Sequence, residues 1–312
     1  MGIRLGTHVA ATASEEELRF LTQLGLRHVR VLFTEDQDGE PFLRRTHGRF
    51  ARAGLAIEAA VYALYKAPEI AFGQPGRDQA LARVAGFVTA MGRVGIPVLD
   101  YDFFLYAPLP ATGEAETRGA RSREFDLARA GEFAPLLDAS PTPEAMWENH
   151  RVMMAALLPV AEAAGVRLAL HPDDPPVPEL LGVPRVFGTM DAYRRALKEF
   201  DSPAWGVLFC VGTWAEGGEA MGMAIPEALR FFAERGKLLT VHFRNVSAPL
   251  PRFTETFLDN GYIDMAEVAR TLLDVGFDGL VIPDHTPALT GDPDGRAALA
   301  QSIGYMQGLF AR

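Results

Sequence analysis

The sequence predicts a single α/β domain folded as a (β/α)8 TIM barrel, and three observations carry that prediction. Eight β-type apolar runs recur along the 312 residues, at about 3–9, 27–33, 55–61, 96–104, 166–171, 205–210, 237–243 and 279–283, each followed by a helical or loop pattern. Gly25, Gly54, Gly95, Gly165, Gly236 and Gly276 stand just before strands, where a helix ends in a left-handed cap. Finally, four late runs each end on a side chain able to bind a metal ion: His171 after Val166-Arg-Leu-Ala-Leu, Cys210 after Trp205-Gly-Val-Leu-Phe, His242 after Leu238-Leu-Thr-Val, and Asp284 after Gly279-Leu-Val-Ile-Pro. In a barrel, the C-terminal ends of all strands open on one mouth, so side chains at those ends converge.

Local signals justify the elements in turn. Ser14-Glu-Glu-Glu reads as the capped start of the first helix, and Pro143-Glu-Ala opens a later helix at the position where a missing backbone N–H costs nothing. No Ser-, Gly- or Pro-rich linker divides the chain, which is therefore expected to be one domain over residues 1–312. The exception to compactness is residues 105–142, which carry Pro108, Pro110, Gly113, Gly119 and mixed charges between the fourth strand and the next helix. A connection of that length is expected to act as a lid over the mouth.

Composition narrows the function. The formal net charge of −10 argues against a nucleic-acid partner, because neutralising phosphates takes clustered Lys and Arg. No apolar run approaches the roughly 20 residues that span a bilayer, so no membrane role is expected. The single cysteine excludes an intramolecular disulfide. The opening Met1-Gly-Ile-Arg-Leu-Gly-Thr-His has neither the basic nor the apolar region of a signal peptide, which points to the cytoplasm. A small molecule is the expected partner, and a homo-oligomer the expected state.

Taken singly, each ligand has a duller reading. A lone Cys is usually a small buried hydrophobe, a His at a strand end can be a hydrogen-bonded core residue, and an Asp after a Pro can cap a turn. The conjunction of two His, one Cys and one Asp on four consecutive predicted strands favours one divalent-metal site. Thiolate and imidazole suit Zn2+ or Fe2+, and the carboxylate admits Mn2+, so ligand chemistry leaves the metal open.

The segments His171-Pro-Asp-Asp-Pro-Pro, Pro184-Arg-Val-Phe-Gly, Phe209-Cys-Val-Gly-Thr, Val241-His-Phe-Arg-Asn-Val and Pro283-Asp-His resemble, in order and spacing, the motifs of the mannonate dehydratase family. The likeness extends to Glu15-Glu-Glu-Leu-Arg-Phe-Leu-Thr-Gln-Leu-Gly and Gly95-Ile-Pro-Val-Leu-Asp-Tyr-Asp-Phe, and so covers most of the chain. It implies a xylose isomerase-like barrel and a hydro-lyase that converts D-mannonate to 2-keto-3-deoxy-D-gluconate in hexuronate breakdown. It also implies Mn2+ as the cofactor, with Zn2+, Fe2+ and Mg2+ as alternatives. By the same resemblance His171, Cys210, His242 and Asp284 are the metal ligands and His285 is an acid/base group. A divalent ion on the carboxylate and adjacent hydroxyl makes the α-proton of a sugar acid removable, and an imidazole moves it.

Other polar residues near the mouth are candidate substrate contacts. Arg244 and Asn245 follow the His242 strand, Asp173 and Arg185 flank the His171 loop, and His8 ends the first strand. Arg244 is expected to grip a carboxylate bidentately. The sequence departs from the family at a Tyr that joins the acid/base His in proton transfer. Anchoring on Ile303-Gly304 and Gly308-Leu309 puts Ala300 at that place. An isomerase or epimerase of a sugar using the same ion, and a non-catalytic sugar-acid binder, are therefore the alternative functions.

Overall fold

The computed structural model describes residues 2–103, 111–137 and 139–311. Its eight parallel strands are β1 Arg4–Ala10, β2 His28–Phe33, β3 Ala56–Tyr62, β4 Val98–Tyr101, β5 Arg167–Leu170, β6 Trp205–Cys210, β7 Leu238–Phe243 and β8 Leu280–Pro283. They pair in chain order and close through β8 and β1 into a barrel. Every strand lies within one of the runs expected from the sequence, give or take a residue at its ends. The late strands β6, β7 and β8 are buried at every position, as parallel strands covered on both faces must be, and this is why they read as unbroken apolar runs.

Two apolar cores result. The larger lies between the outer face of the barrel and the surrounding helices, and includes Phe87, Met154, Phe209 and Phe232. The smaller fills the barrel itself and is built from Ala59, Val98, Ala169, Leu208, Cys210, Leu239, Leu280 and Ile282. Above it lies a polar layer: Arg30 Nε donates to Asp100 Oδ2 at 2.7 Å, and Thr240 Oγ1 donates to Asp100 Oδ1 at 2.9 Å. The interior is packed rather than open, so a ligand reaches only its C-terminal mouth.

Residues 105–142 are not structureless. Residues 104–110 and 138 lie outside the described residues, but the remainder carries an antiparallel hairpin, Gly113–Thr117 and Ala120–Asp126, turning at Arg118 and Gly119. The second hairpin strand pairs with Arg252–Thr256, which in turn pairs with Asn245–Val246 directly after β7. The Ala288 N–H after β8 donates to the Arg121 carbonyl at 2.7 Å. The connections after β4, β7 and β8 are thus sewn into one small sheet over the mouth. Stacking of Phe125 on Phe253, with ring centroids 5.6 Å apart, adds an apolar anchor.

Helix boundaries follow the local signals. Ser14 Oγ accepts from the Glu17 N–H at 3.1 Å, and Thr142 caps the helix that Pro143 opens. Gly165 ends that helix, Pro143–Ala164, at φ 67°, where an L side chain is strained. A Cβ there would meet nothing within 4 Å, so the cost of Gly165→Ala is purely one of backbone conformation. The substitution is expected to lower stability by about 1–2 kcal/mol. Urea unfolding should show a lower midpoint with an unchanged slope, and an unchanged midpoint would refute the left-handed cap.

Candidate active site

The strand register builds the site. Cys210, last in β6, pairs with His242 of β7, and Phe243 pairs with Pro283 of β8, which puts Asp284 beside the turn out of β7. His171 continues β5 by donating its backbone N–H to the Tyr101 carbonyl at 2.8 Å. One ligand atom each from His171, Cys210 and His242 lies within 4.8 Å of the others. Asp284 touches two of the three: Oδ1 is 3.1 Å from His242 Nδ1, and Oδ2 is 3.9 Å from Cys210 Sγ.

The donor atoms are held in a state that suits a cation. His171 Nδ1 engages the Pro172 carbonyl at 2.6 Å, which leaves Nε2 as the free donor. His242 is buried, and neither of its ring nitrogens completes a well-aligned hydrogen bond. Burial also holds its imidazole neutral, with the pKa brought down to about 3. A neutral imidazole is what a metal needs. Burial pushes the Cys210 thiol up to about 12, and coordination is the kind of interaction that removes such a proton outright. For Asp284, burial opposes ionisation, but the contact with His242 and the charges of His285 and Arg244 outweigh it and hold the carboxyl well below its ordinary range.

Beside this cluster opens a cavity of about 450 Å3, within the usual range for small-molecule sites. Asp284 and His285 form one wall, His8 another, and the hairpin strand Ala120–Asp126 contributes Arg121, Ser122 and Arg123. Leu5 of β1 pairs with Val281 of β8, so three residues further on His8 reaches the level of Asp284. His8 is open to the cavity yet walled in by protein, and that enclosure, with Arg30 next to it, brings its imidazole down to about 4. His285 behaves oppositely: burial disfavours its charge, but Asp284 and Glu255 prevail and raise it above its ordinary value. Its Nδ1 lies 2.8 Å from Glu255 Oε1, which fixes the ring and leaves Nε2 as the nitrogen that can exchange a proton.

Four of the expected substrate contacts are committed to the protein itself. Arg244 is 1% exposed. Its Nη2 lies 2.7 Å from Asp174 Oδ2 and 2.8 Å from Glu216 Oε1, its Nη1 donates to Glu255 Oε1 at 2.7 Å, and its Nε is 3.3 Å from Asp284 Oδ2. With four carboxylates around it, the guanidinium has no fork to offer an incoming one. Asn245 is fully buried and spends all of its capacity on backbone: Nδ2 donates to Leu258 and Ile263, and Oδ1 accepts from Val246 and Ile263. Asp173 accepts from the Phe187 N–H at 2.6 Å, and burial raises its pKa to about 6. Arg185 donates to the Asp174 carbonyl at 3.3 Å, so both shape the loop after β5.

The sequence reading missed Glu216, Glu255 and Arg123. Glu255 stands in the alternating strand Arg252–Thr256, whose only distinguishing mark is its partner strand in the lid. Ala300 lies on the helix Arg296–Phe310 and is not part of the cavity wall, where Asp294, Gly295 and Leu299 stand instead. Arg244→Met is expected to leave the surrounding carboxylates without their cation and to cost about 3–5 kcal/mol, as breaking a buried ion network does. Chemical unfolding measures this, and a wild-type midpoint would refute the central role of Arg244.

A family model described as D-mannonate dehydratase (UxuA) matches residues 129–312, more than half of the chain. The mannonate dehydratase of Streptococcus pneumoniae (strain 70585) is 30% identical over 298 residues, covering 83% of this chain and 78% of the relative. Among solved structures, the crystal structure of mannonate dehydratase from Streptococcus suis serotype 2 superposes with a TM-score of 0.88 at 24% identity, covering 99% of this chain and 94% of that one. A xylose isomerase domain protein from Planctomyces limnophilus superposes with a TM-score of 0.66 at 16% identity, covering 99% of this chain and 98% of that one, which shows the shared barrel. The chain belongs to the D-mannonate dehydratase family.

Proposed function

We propose that this protein is a hydro-lyase that removes water from D-mannonate, giving 2-keto-3-deoxy-D-gluconate, with Mn2+ as its cofactor. The observation that carries the reading is the convergence of His171, Cys210 and His242 next to Asp284, which lines a cavity whose wall also carries His285. These three side chains would hold the metal, and Asp284, already in contact with two of them, is assigned as the fourth ligand. When bound, a divalent cation there supplies Lewis acidity to the carboxylate and neighbouring hydroxyl of a sugar acid.

The chain's own residues do the rest. Glu255 holds the His285 ring through Nδ1, so Nε2 exchanges the proton that leaves C2 or reaches the departing C3 hydroxyl. His8, kept neutral by its surroundings and facing the same cavity, is assigned as a contact for a substrate hydroxyl. The lid sheet and the packed barrel interior limit water around the reacting atoms. Loss of one proton and one hydroxide leaves an enol, which takes up a proton at C3 and gives up the proton of its C2 hydroxyl to become the 2-keto acid.

A second reading, isomerisation or epimerisation of a sugar, is favoured by one observation: where the cavity meets the start of the helix Arg296–Phe310, Leu299 supplies no proton-transfer group. The two readings differ in whether the product has lost water.

Purified protein loaded with Mn2+ is expected to convert D-mannonate to the 2-keto-3-deoxy acid, and a chelator is expected to stop it. Cys210→Ser should weaken metal binding by more than the roughly ten- to hundredfold that an outer-shell partner is worth. His285→Asn should keep the metal while turnover falls about 10²- to 10⁴-fold. Metal retained by Cys210→Ser at wild-type affinity would sink the ligand assignment, and product formed without metal would sink the mechanism.

A further inference from the structure

The cavity contains a cation that no carboxylate among the described residues pairs with. Of the arginines that line it, Arg121 sits 3.2 Å from Glu114 in an exposed pair. Arg123 has no carboxylate within ion-pair distance among the described residues. Its Nη1 instead rests against His285, 3.2 Å from Nε2 and 3.4 Å from Nδ1.

The side chain is exposed, but the backbone that carries it is fixed. Arg123 lies inside the strand Ala120–Asp126, paired on one side with Glu114 of the hairpin and flanked by Glu124, whose backbone register with Thr254 ties the hairpin to the strand carrying Glu255. Glu255 lies close enough for Arg123 to help hold its carboxyl low, but Glu255 is already shared by Arg244 and His285. The nearest acid is therefore spent, and every other fixed cation around the site is matched: Arg244 by four carboxylates and Arg30 by Asp100.

We infer that Arg123 is the specificity-determining residue that selects a carboxylate-bearing sugar: its guanidinium, presented by the hairpin strand Ala120–Asp126 beside His285, takes an oxygen of the substrate's carboxylate. The inference rests on the proposed reading that the cavity takes a sugar acid, and it names the group that distinguishes an acid from a neutral sugar. Arg244 cannot do this, being saturated. A planar, permanently charged donor without a counter-ion is the chemistry a carboxylate pairs with.

The test uses the full chain loaded with Mn2+, and compares wild type with Arg123→Gln and Arg123→Lys. Turnover and calorimetric binding are followed with D-mannonate, with D-gluconate, and with D-mannitol, which carries a hydroxymethyl group in place of the carboxylate. Arg123→Gln is expected to raise KM and Kd for the hexonate about ten- to a hundredfold, with kcat changed far less and metal content unchanged. Arg123→Lys should recover part of the loss, and D-mannitol should bind wild type and Arg123→Gln equally weakly. A wild-type KM and Kd in Arg123→Gln overturns the inference. Wild type that binds a hexonate without releasing water, with that affinity lost in Arg123→Gln, overturns the proposed reaction and sustains the anchor. Wild type that binds no hexonate overturns both.

Discussion

One buried guanidinium organises the mouth of this barrel. Arg244 gathers Asp174 from the loop after β5, Glu216 from the short helix after β6, Glu255 from the lid and Asp284 from the end of β8. None of these acids is adjacent to another in sequence, and each would be expensive to bury alone. Gly212 shows how closely the arrangement is fitted, since a Cβ at that position would fall on the Arg244 side chain. One positive charge among four carboxyl groups leaves an acidic surplus. Burial relieves part of it by pushing Glu216 toward its neutral form, while Asp284 stays ionised. A floor with that balance, backed by the neutral His242 imidazole and a thiol, attracts a cation and repels a bare anion.

This electrostatic surplus explains why the lid is more than a cover. A sugar acid in the cavity lies against Asp284 and Glu255, whose carboxylates would reject its own. The hairpin after β4 answers with Arg121 and Arg123, brought over the cavity by pairing with Arg252–Thr256 and by the bond from Ala288 to Arg121. The same strand Arg252–Thr256 supplies Glu255, which holds both Arg244 and His285. Lid position, ring orientation and charge balance are therefore one mechanical unit, and a disturbance of the hairpin reaches His285 through a single carboxylate.

What the sequence revealed and what it hid follow from the same physics. Parallel strands buried on both faces leave continuous apolar runs, so the barrel was legible, and so were the side chains placed at the ends of those runs. His171, Cys210, His242 and Asp284 needed only strand register to be brought together. The hairpin was hidden because Gly113–Thr117 and Ala120–Asp126 alternate with charged residues and lie beside a Pro-rich stretch, which reads as a loop. Arg244 and Asn245 misled for another reason: an Arg or Asn after a strand looks the same in sequence whether it meets solvent or is sealed among partners. Only the fold shows that Asn245 is occupied by the backbone of residues 246, 258 and 263. Arg123, one charge among many in the segment, gave no sequence signal at all.

The two imidazoles of the cavity illustrate how this fold divides labour between strands that are neighbours. His8 leaves β1 directly opposite Arg30 of β2, and Arg30 is itself fixed by Asp100 inside the barrel. That cation, with enclosure, keeps His8 uncharged. One strand away in the other direction, His285 follows Asp284 and leans on Glu255, and so is drawn toward its charged form. Neither environment depends on the identity of the substrate, since both are set by residues held in the barrel wall or sewn into the lid sheet. Two like groups in one cavity are thus pushed in opposite directions. The barrel achieves it by placing a buried cation behind one ring and buried acids behind the other.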